Sequence, residues 1–222
     1  MSKAWATGTT SPGVPLPLGA TIYKNGVCFS IFSRHAAAVT LVLFDGDAPP
    51  CQYREYPLDS AVNKTGDIWH IWIEGIREGQ RYGYRIDGPH EPDKGHRYNK
   101  NKLLIDPYAR AVSSGFIWDL TRARGYDPDH PLGDLSFSES DSAPFTPKSI
   151  VIADNEDFSD RRPGTRPEET VIYELHVRGF TCHGTAGVKQ PGTFMGLTEK
   201  IPYLKELGFT AVELMPVNEV DE

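Results

Sequence analysis

The chain has 222 residues, is 39% hydrophobic and carries a formal net charge of −7. That apolar fraction is enough to build a core, which excludes wholesale disorder. The acidic balance excludes nucleic acid and anionic membrane surfaces as partners, because either needs a basic face, but it leaves a neutral ligand such as a sugar open.

From the N-terminus, Met1 to Leu18 lack the basic start and apolar run of a signal peptide. Nowhere does the chain approach the roughly 20 consecutive apolar residues needed to span a bilayer, so a soluble cytoplasmic protein is expected. The three cysteines, Cys28, Cys51 and Cys182, are far apart and contain no CxxC, so neither a disulfide framework nor a zinc site is indicated. No cofactor is expected.

Short runs of period two then follow. Val27, Phe29 and Ile31 share one face, and Val39, Leu41 and Leu43 repeat the pattern before a turn at Asp45-Gly46. Trp69, Ile71 and Ile73 form a third run, and after a break at Gly75 to Gly79 come Tyr82, Tyr84 and Ile86. Alternation punctuated by turn residues predicts an antiparallel β-sandwich over 1–154. In these runs Trp69, Tyr82 and Tyr84 fall in phase with the aliphatic positions and should be core. Residues 155–169, charged and Pro/Gly-containing, read as a linker.

Residues 170–222 follow a different grammar. Val171 to Val177 reads as a strand, with Val171, Tyr173, Leu175 and Val177 on one face and Ile172, Glu174, His176 and Arg178 on the other. Leu197, Ile201, Leu204 and Leu207 form a helical stripe, with Pro202 near its first turn and Gly208 placed to end it. Thr210 to Met215 reads as a second strand. Strand, helix, strand is a βαβ unit, which builds parallel sheets and barrels. One such unit cannot bury both faces of its sheet, so these residues are expected to begin a larger α/β domain, and their open strand edges invite self-association.

Four blocks resemble one family, the isoamylase-type bacterial glycogen-debranching enzymes of the α-amylase superfamily. They are Pro17 to Thr21 leading into Gly26 to Ser33; Gly79 to Arg85 with Gly88-Pro89; Gly95 to Ala109; and Val171 to Thr181 followed by Tyr203 to Gly208 and Val212 to Val217. Maltooligosyltrehalose trehalohydrolases and glycogen-branching enzymes look similar in the first barrel strand and helix. The Gly95–Ala109 block and Arg178-Gly179-Phe180-Thr181 fit the debranchers better. The resemblance implies a mainly β chain: an immunoglobulin-like β-sandwich of the starch-binding type, then the first βαβ unit of an incomplete (β/α)₈ barrel. The implied parent reaction is retaining hydrolysis of α-1,6-glucosidic branch points in glycogen, starch or limit dextrin. It needs a nucleophilic carboxylate and a general acid about 5–5.5 Å apart. In the family both lie on later barrel strands, so no catalytic residue is expected in this chain. Two alternatives are a free-standing α-glucan-binding or scaffold module and the leading part of a maltooligosyltrehalose trehalohydrolase.

Several residues compete for roles. Glu174 and Glu213 fall on neighbouring strands and suggest a carboxylate pair; with His176, they are read instead as a hydrogen-bonded network inside the barrel. His90, Glu91, Asp93 and His96 sit in a Pro/Gly-rich segment without an i,i+4 histidine pair, which predicts a solvated loop rather than a metal site. Glu219 aligns with a calcium-binding loop of some isoamylases, but the other ligands are not in the chain. Arg97, Asn99, Lys102 and Asp106 match a family loop and are read as fastening the β-module to the barrel through charge-assisted hydrogen bonds; Arg97 and Lys102 gripping sugar hydroxyls is the alternative. Trp72, out of phase with the core, is the candidate exposed platform for a sugar ring. Glycogen-binding modules of this type carry a tryptophan soon after the strand corresponding to Val39–Phe44. Asp45-Gly46-Asp47-Ala48-Pro49 stands there instead, which argues against independent glucan binding.

Overall fold

A computed structural model describes residues 9–46, 52–113, 119–153 and 163–217. The chain divides into two compact units, Met1–Glu156 and Asp157–Glu222. The greater part of the expected linker, along with Glu219, lies outside the described residues.

The first unit contains β1 (Thr10–Ser11), β2 (Gly19–Tyr23), β3 (Gly26–Phe32), β4 (Ala38–Phe44), β5 (Tyr53–Pro57) and β6 (Lys64–Thr65). It continues with β7 (Ile68–Glu74), β8 (Arg81–Asp87), β9 (His90–Glu91), β10 (His96–Arg97), the short helix α1 (Leu120–Ala123) and β11 (Ser149–Ile150). One sheet runs β1-β7-β3-β2 with β6 paired to β7, and the other runs β11-β8-β4-β5. Every pairing in both is antiparallel.

Period two accounts for the core. On β3 and β7 the register sets Val27 opposite Ile73, Phe29 opposite Ile71 and Ile31 opposite Trp69. On β4 and β8 it sets Val39 opposite Ile86, Leu41 opposite Tyr84 and Leu43 opposite Tyr82. These twelve side chains share one buried cluster, and Phe29 meets Tyr82 edge to face at 5.0 Å between ring centres. The sandwich is closed by the residues whose alternation predicts it.

Strands β3 and β4 are buried on both faces, and on β4 the second face is apolar. Val42 and Phe44 form a second cluster with Leu103 and Ala143. The backbone at Leu104 pairs with Tyr84 in both directions, at 2.9 and 2.8 Å. Gly83 permits this approach, since a Cβ there would stand 2.9 Å from Leu103 Cδ1. The non-strand stretch after β10 therefore covers the outer face of the second sheet.

The second unit holds β12 (Ile172–Leu175), α2 (Val177–Thr181), α3 (Phe194–Thr198), α4 (Ile201–Glu206) and β13 (Ala211–Leu214). Strands β12 and β13 pair in parallel, with Tyr173 opposite Val212 and Leu175 opposite Leu214. One side is covered: Leu175, Val177, Leu197 and Leu204 are buried together, with Tyr173, Phe180 and Phe209 packed against them.

Two expectations are corrected here. The first strand ends at Leu175 rather than Val177, because the His176 ring accepts a hydrogen bond from Gly179 N at 3.1 Å and caps the turn that becomes α2. The single helix is broken between α3 and α4. Pro202 has no N–H with which to continue the ladder and starts a new helix, and a tight Lys200 N to Leu197 O bond of 2.9 Å marks the break. As a result only Leu197 and Leu204 of the stripe are buried, while Ile201 and Leu207 are exposed. Gly208 ends α4 as expected, at φ +92°, with Phe209 N bonded to Leu204 O across it.

Candidate functional site

At the end of β8 the chain turns through Gly88 into the β9–β10 ribbon. The ribbon closes through a 3₁₀ turn at Pro92–Lys94, ended by Gly95 in the left-handed region at φ +82°. Tyr98 follows directly, and its ring lies against Gly88, where a Cβ would meet Cγ at 2.8 Å. Between this ribbon and the 123–136 stretch lies a cavity of about 880 Å³. Tyr98, Tyr126, His90 and His96 are half-buried in its walls, and the exposed His35 lies at its edge. His35 and His96 meet edge to face at 4.9 Å, and His90 stands edge-on to Phe137 at 4.8 Å. Both ring nitrogens of His90 are shielded from solvent and have no hydrogen-bond partner among the described residues.

The loop residues singled out from sequence surround this cavity or lie just beyond it. Arg97 donates to the Asp134 carbonyl at 2.5 Å and to its carboxylate at 2.9 Å. Asn99 is buried, donates to Ser138 O at 2.8 Å and Gly125 O at 3.3 Å, and accepts from Asn101 N. Lys102 uses all three ammonium protons, on Arg122 O, Ser138 Oγ and Ser140 O at 2.7–2.9 Å. Burial lowers its pKa, and Asp141 partly opposes that. Asp106 accepts from Tyr82 Oη at 2.9 Å and Tyr108 N at 2.8 Å. Burial pushes the Asp106 carboxyl up against those bonds, and burial, then the nearby Asp106 charge, pushes the Tyr82 phenol far above its ordinary value.

These bonds show what the four groups hold within the first unit. Every partner named above lies within the first unit, so the groups tie the 122–140 stretch and the Asp106 turn onto the sandwich. Being unable to satisfy Lys102 or Asn99 from the strands alone, the fold recruits loop carbonyls to do so.

Trp72 has contacts of its own. It lies outside the core as its phase predicts, but it is half-buried. Its ring covers Gly26, where a Cβ would sit 2.7 Å from Cζ2, and its Nε1 donates to Tyr23 O at 3.1 Å. It closes the β3–β7 surface.

On the second unit Glu174 and Glu213 stand opposite each other in the parallel register. Both are exposed, and neither has a hydrogen-bond partner among the described residues. His176 is exposed too and accepts a hydrogen bond from Gly179 N. Among the described residues no group of three His, Cys, Asp or Glu side chains is arranged to hold a metal.

A closed two-sheet antiparallel sandwich followed in sequence by a parallel strand–helix–strand defines the class: an immunoglobulin-like β-sandwich with an α/β segment after it. Residues 17–109 match carbohydrate-binding module 48, the isoamylase N-terminal domain. The chain is 43% identical over 219 residues to a glycogen debranching enzyme of Yersinia enterocolitica, covering 96% of this chain and 31% of the relative. It is 40% identical to the chloroplastic isoamylase 1 of Oryza sativa, covering 95% of the chain and 25% of the relative. The type I pullulanase of Bacillus subtilis, solved with maltose, superposes with a TM-score of 0.61 at 21% identity, over 92% of this chain and 24% of that one. The resemblance to isoamylase-type debranching enzymes thus extends along nearly the whole chain, which spans about a quarter to a third of the length of the curated relatives it matches.

Proposed function

We propose that the chain is the leading portion of a glycogen- or starch-debranching glycoside hydrolase that acts on α-1,6 branch points of an α-glucan in the cytoplasm. Residues 1–154 are its carbohydrate-binding-type module, 155–169 the linker, and 170–222 the opening of a (β/α)₈ barrel. One observation carries this reading: an isoamylase N-terminal domain match at 17–109 and a parallel β12–β13 pair bridged by helices occur in the same chain, in the order the debranchers have.

Within that reading β12 and β13 supply the first two barrel strands. The face bearing Tyr173 and Leu175 meets the helices, and the face bearing Ile172, Glu174 and Glu213 is left for the barrel interior. Retaining hydrolysis needs a nucleophile and an acid set across one glycosidic bond. Glu174 and Glu213 share one parallel register and are read as structural residues of the barrel interior. The reacting carboxylates come from later strands.

A chimera tests the reading. Residues 1–222 replace the corresponding portion of the Yersinia enterocolitica debranching enzyme, and release of linear chains from amylopectin is measured. The chimera is expected to debranch, and the 222-residue chain alone is expected to release nothing. Release by the chain alone contradicts the assignment, and so does a folded but inactive chimera.

A further inference from the structure

We propose that Asn25 is a site of spontaneous modification, deamidation by attack of the chain's own backbone, and that Glu74 holds the reaction off in the folded protein.

Asn25 is the only asparagine in the sequence that a glycine follows. With no Cβ on the next residue, the peptide nitrogen of Gly26 is unscreened and the backbone around it turns easily. In the reaction Gly26 N bonds to Cγ of Asn25 and closes a succinimide ring. The bond from Cγ to Nδ2 breaks, and ammonia leaves with the proton that Gly26 N gives up. Water then opens the ring at one of its two carbonyls, which leaves aspartate or isoaspartate at position 25. Water is the only other reactant.

The fold places this pair at a turn that β7 grips. Lys24 and Asn25 join β2 to β3, with Lys24 in the left-handed region at φ +54°. Asn25 is exposed, whereas Gly26 is buried and stands between Tyr23 of β2 and Glu74 of β7 in the sheet register. Asn25 Nδ2 donates to Glu74 Oε1 at 2.6 Å. Gly75 N donates to Asn25 O at 2.7 Å, and Trp72 Nε1 donates to Tyr23 O at 3.1 Å.

These bonds oppose the attack directly. The nitrogen that must leave is bound to a carboxylate, a stronger tie than one between neutral groups. The peptide that carries the nucleophile is planar, so the Gly75 bond to its carbonyl also fixes the Gly26 nitrogen. The turn must therefore open before the ring can close, and the folded rate is the open fraction multiplied by the rate of the free segment.

Modification also alters the contact that guarded against it. Aspartate at position 25 has no N–H to donate to Glu74 and carries the same charge. Isoaspartate adds a backbone carbon next to Gly26, where a Cβ would already stand 2.3 Å from Ile73 O and 2.7 Å from the Trp72 ring. Either product loosens the hold of β7 on the turn.

The test is incubation of the 222-residue chain at mildly alkaline pH, in buffer and in urea, with peptide mapping for deamidation and isoaspartate. Conversion at Asn25 is expected to be about tenfold slower in the folded chain than in urea. Glu74→Ala should bring the folded rate close to the urea rate, while Glu74→Gln, which keeps an acceptor oxygen, stays protected. Equal rates in buffer and urea overturn the proposal, as does conversion centred on another asparagine. A folded rate that falls in Glu74→Ala also overturns it, since Glu74 would then promote the attack. Hydrogen exchange reads the consequence. Asn25→Asp is expected to speed exchange of the Gly75 amide about tenfold, and adding Glu74→Gln, whose amide donates to the new carboxylate, should restore it. Unchanged Gly75 exchange in Asn25→Asp overturns the loosening. Should Glu74→Ala also speed exchange at Ile71 in the core, the two variants carrying Asn25→Asp give the decision.

Discussion

The two units of this chain draw on similar residues and end in different states. In the first, Val27, Leu41, Ile73, Trp69, Tyr82 and Tyr84 are all at most 1% exposed. In the second, Ile172 is 56% exposed, Leu207 53% and Val212 42%. The difference lies in what each sheet faces. Two antiparallel sheets cover each other, and β4 is covered again from outside by Leu103 and Ala143. A two-stranded parallel sheet has helices on one side only, and parallel sheets are stable when both faces are covered. Apolar content therefore does not by itself make a finished domain; a closed arrangement is also required.

Substitution of core residues should separate the units most sharply. Trp69→Ala removes the largest fully buried side chain among the described residues and is expected to cost about 3–5 kcal/mol, read as a lowered urea midpoint for the main unfolding transition. The same cut in the second unit, Leu204→Ala, should leave that transition in place and shift only the signal from residues 170–217. Equal effects on a single transition would mean that the two units unfold as one.

Close backbone approach gives a smaller effect. Gly83→Val places a side chain where Leu103 Cδ1 and Leu104 O already stand within 3.0 Å of a Cβ, and a loss of about 1–3 kcal/mol is expected. A neutral outcome in equilibrium unfolding would show that the covering stretch is easily displaced.

A pH effect sharpens the comparison further. Burial holds the Asp106 carboxyl above its ordinary 3.8 in the folded chain, so the folded state prefers the protonated acid. The stability this contributes is complete below 3.8 and is lost as pH rises through the folded value. Asp106→Asn should therefore remove a decline in unfolding free energy over that window, measured by urea titrations at successive pH values. A steeper decline in the variant would reverse the sign.

Legibility in the sequence followed periodicity. β3, β7, β8 and the inward face of β4 were readable because one apolar face alternates with a polar or solvent-facing one. The second burial of Val42 and Phe44 was not, since their cover comes from a stretch with little regular structure. The alternating faces of Val171 to Val177 read as one strand throughout, whereas the cap bond from Gly179 N to His176 turns the chain into α2 after Leu175. Pro202 was placed in the first turn correctly, but its missing N–H also divides the helix before it. The cavity carried almost no sequence signal: Tyr98 and Tyr126 stand in separate loops, and only the Gly and Pro density around Gly88 to Gly95 pointed to a built turn. Arg97, Asn99, Lys102 and Asp106 were recognised as important, but sequence could not give their partners, which are mostly carbonyls and hydroxyls of a distant loop.

Native-state hydrogen exchange of the 222-residue chain is the most direct measurement of the contrast between a closed sandwich and a parallel sheet covered on one side. The account predicts slow exchange at Phe29, Leu41, Ile71 and Tyr84, limited by global unfolding, and exchange faster by orders of magnitude across Ile172–Leu175 and Ala211–Leu214. Equally strong protection in both sets, unchanged on dilution, would contradict it.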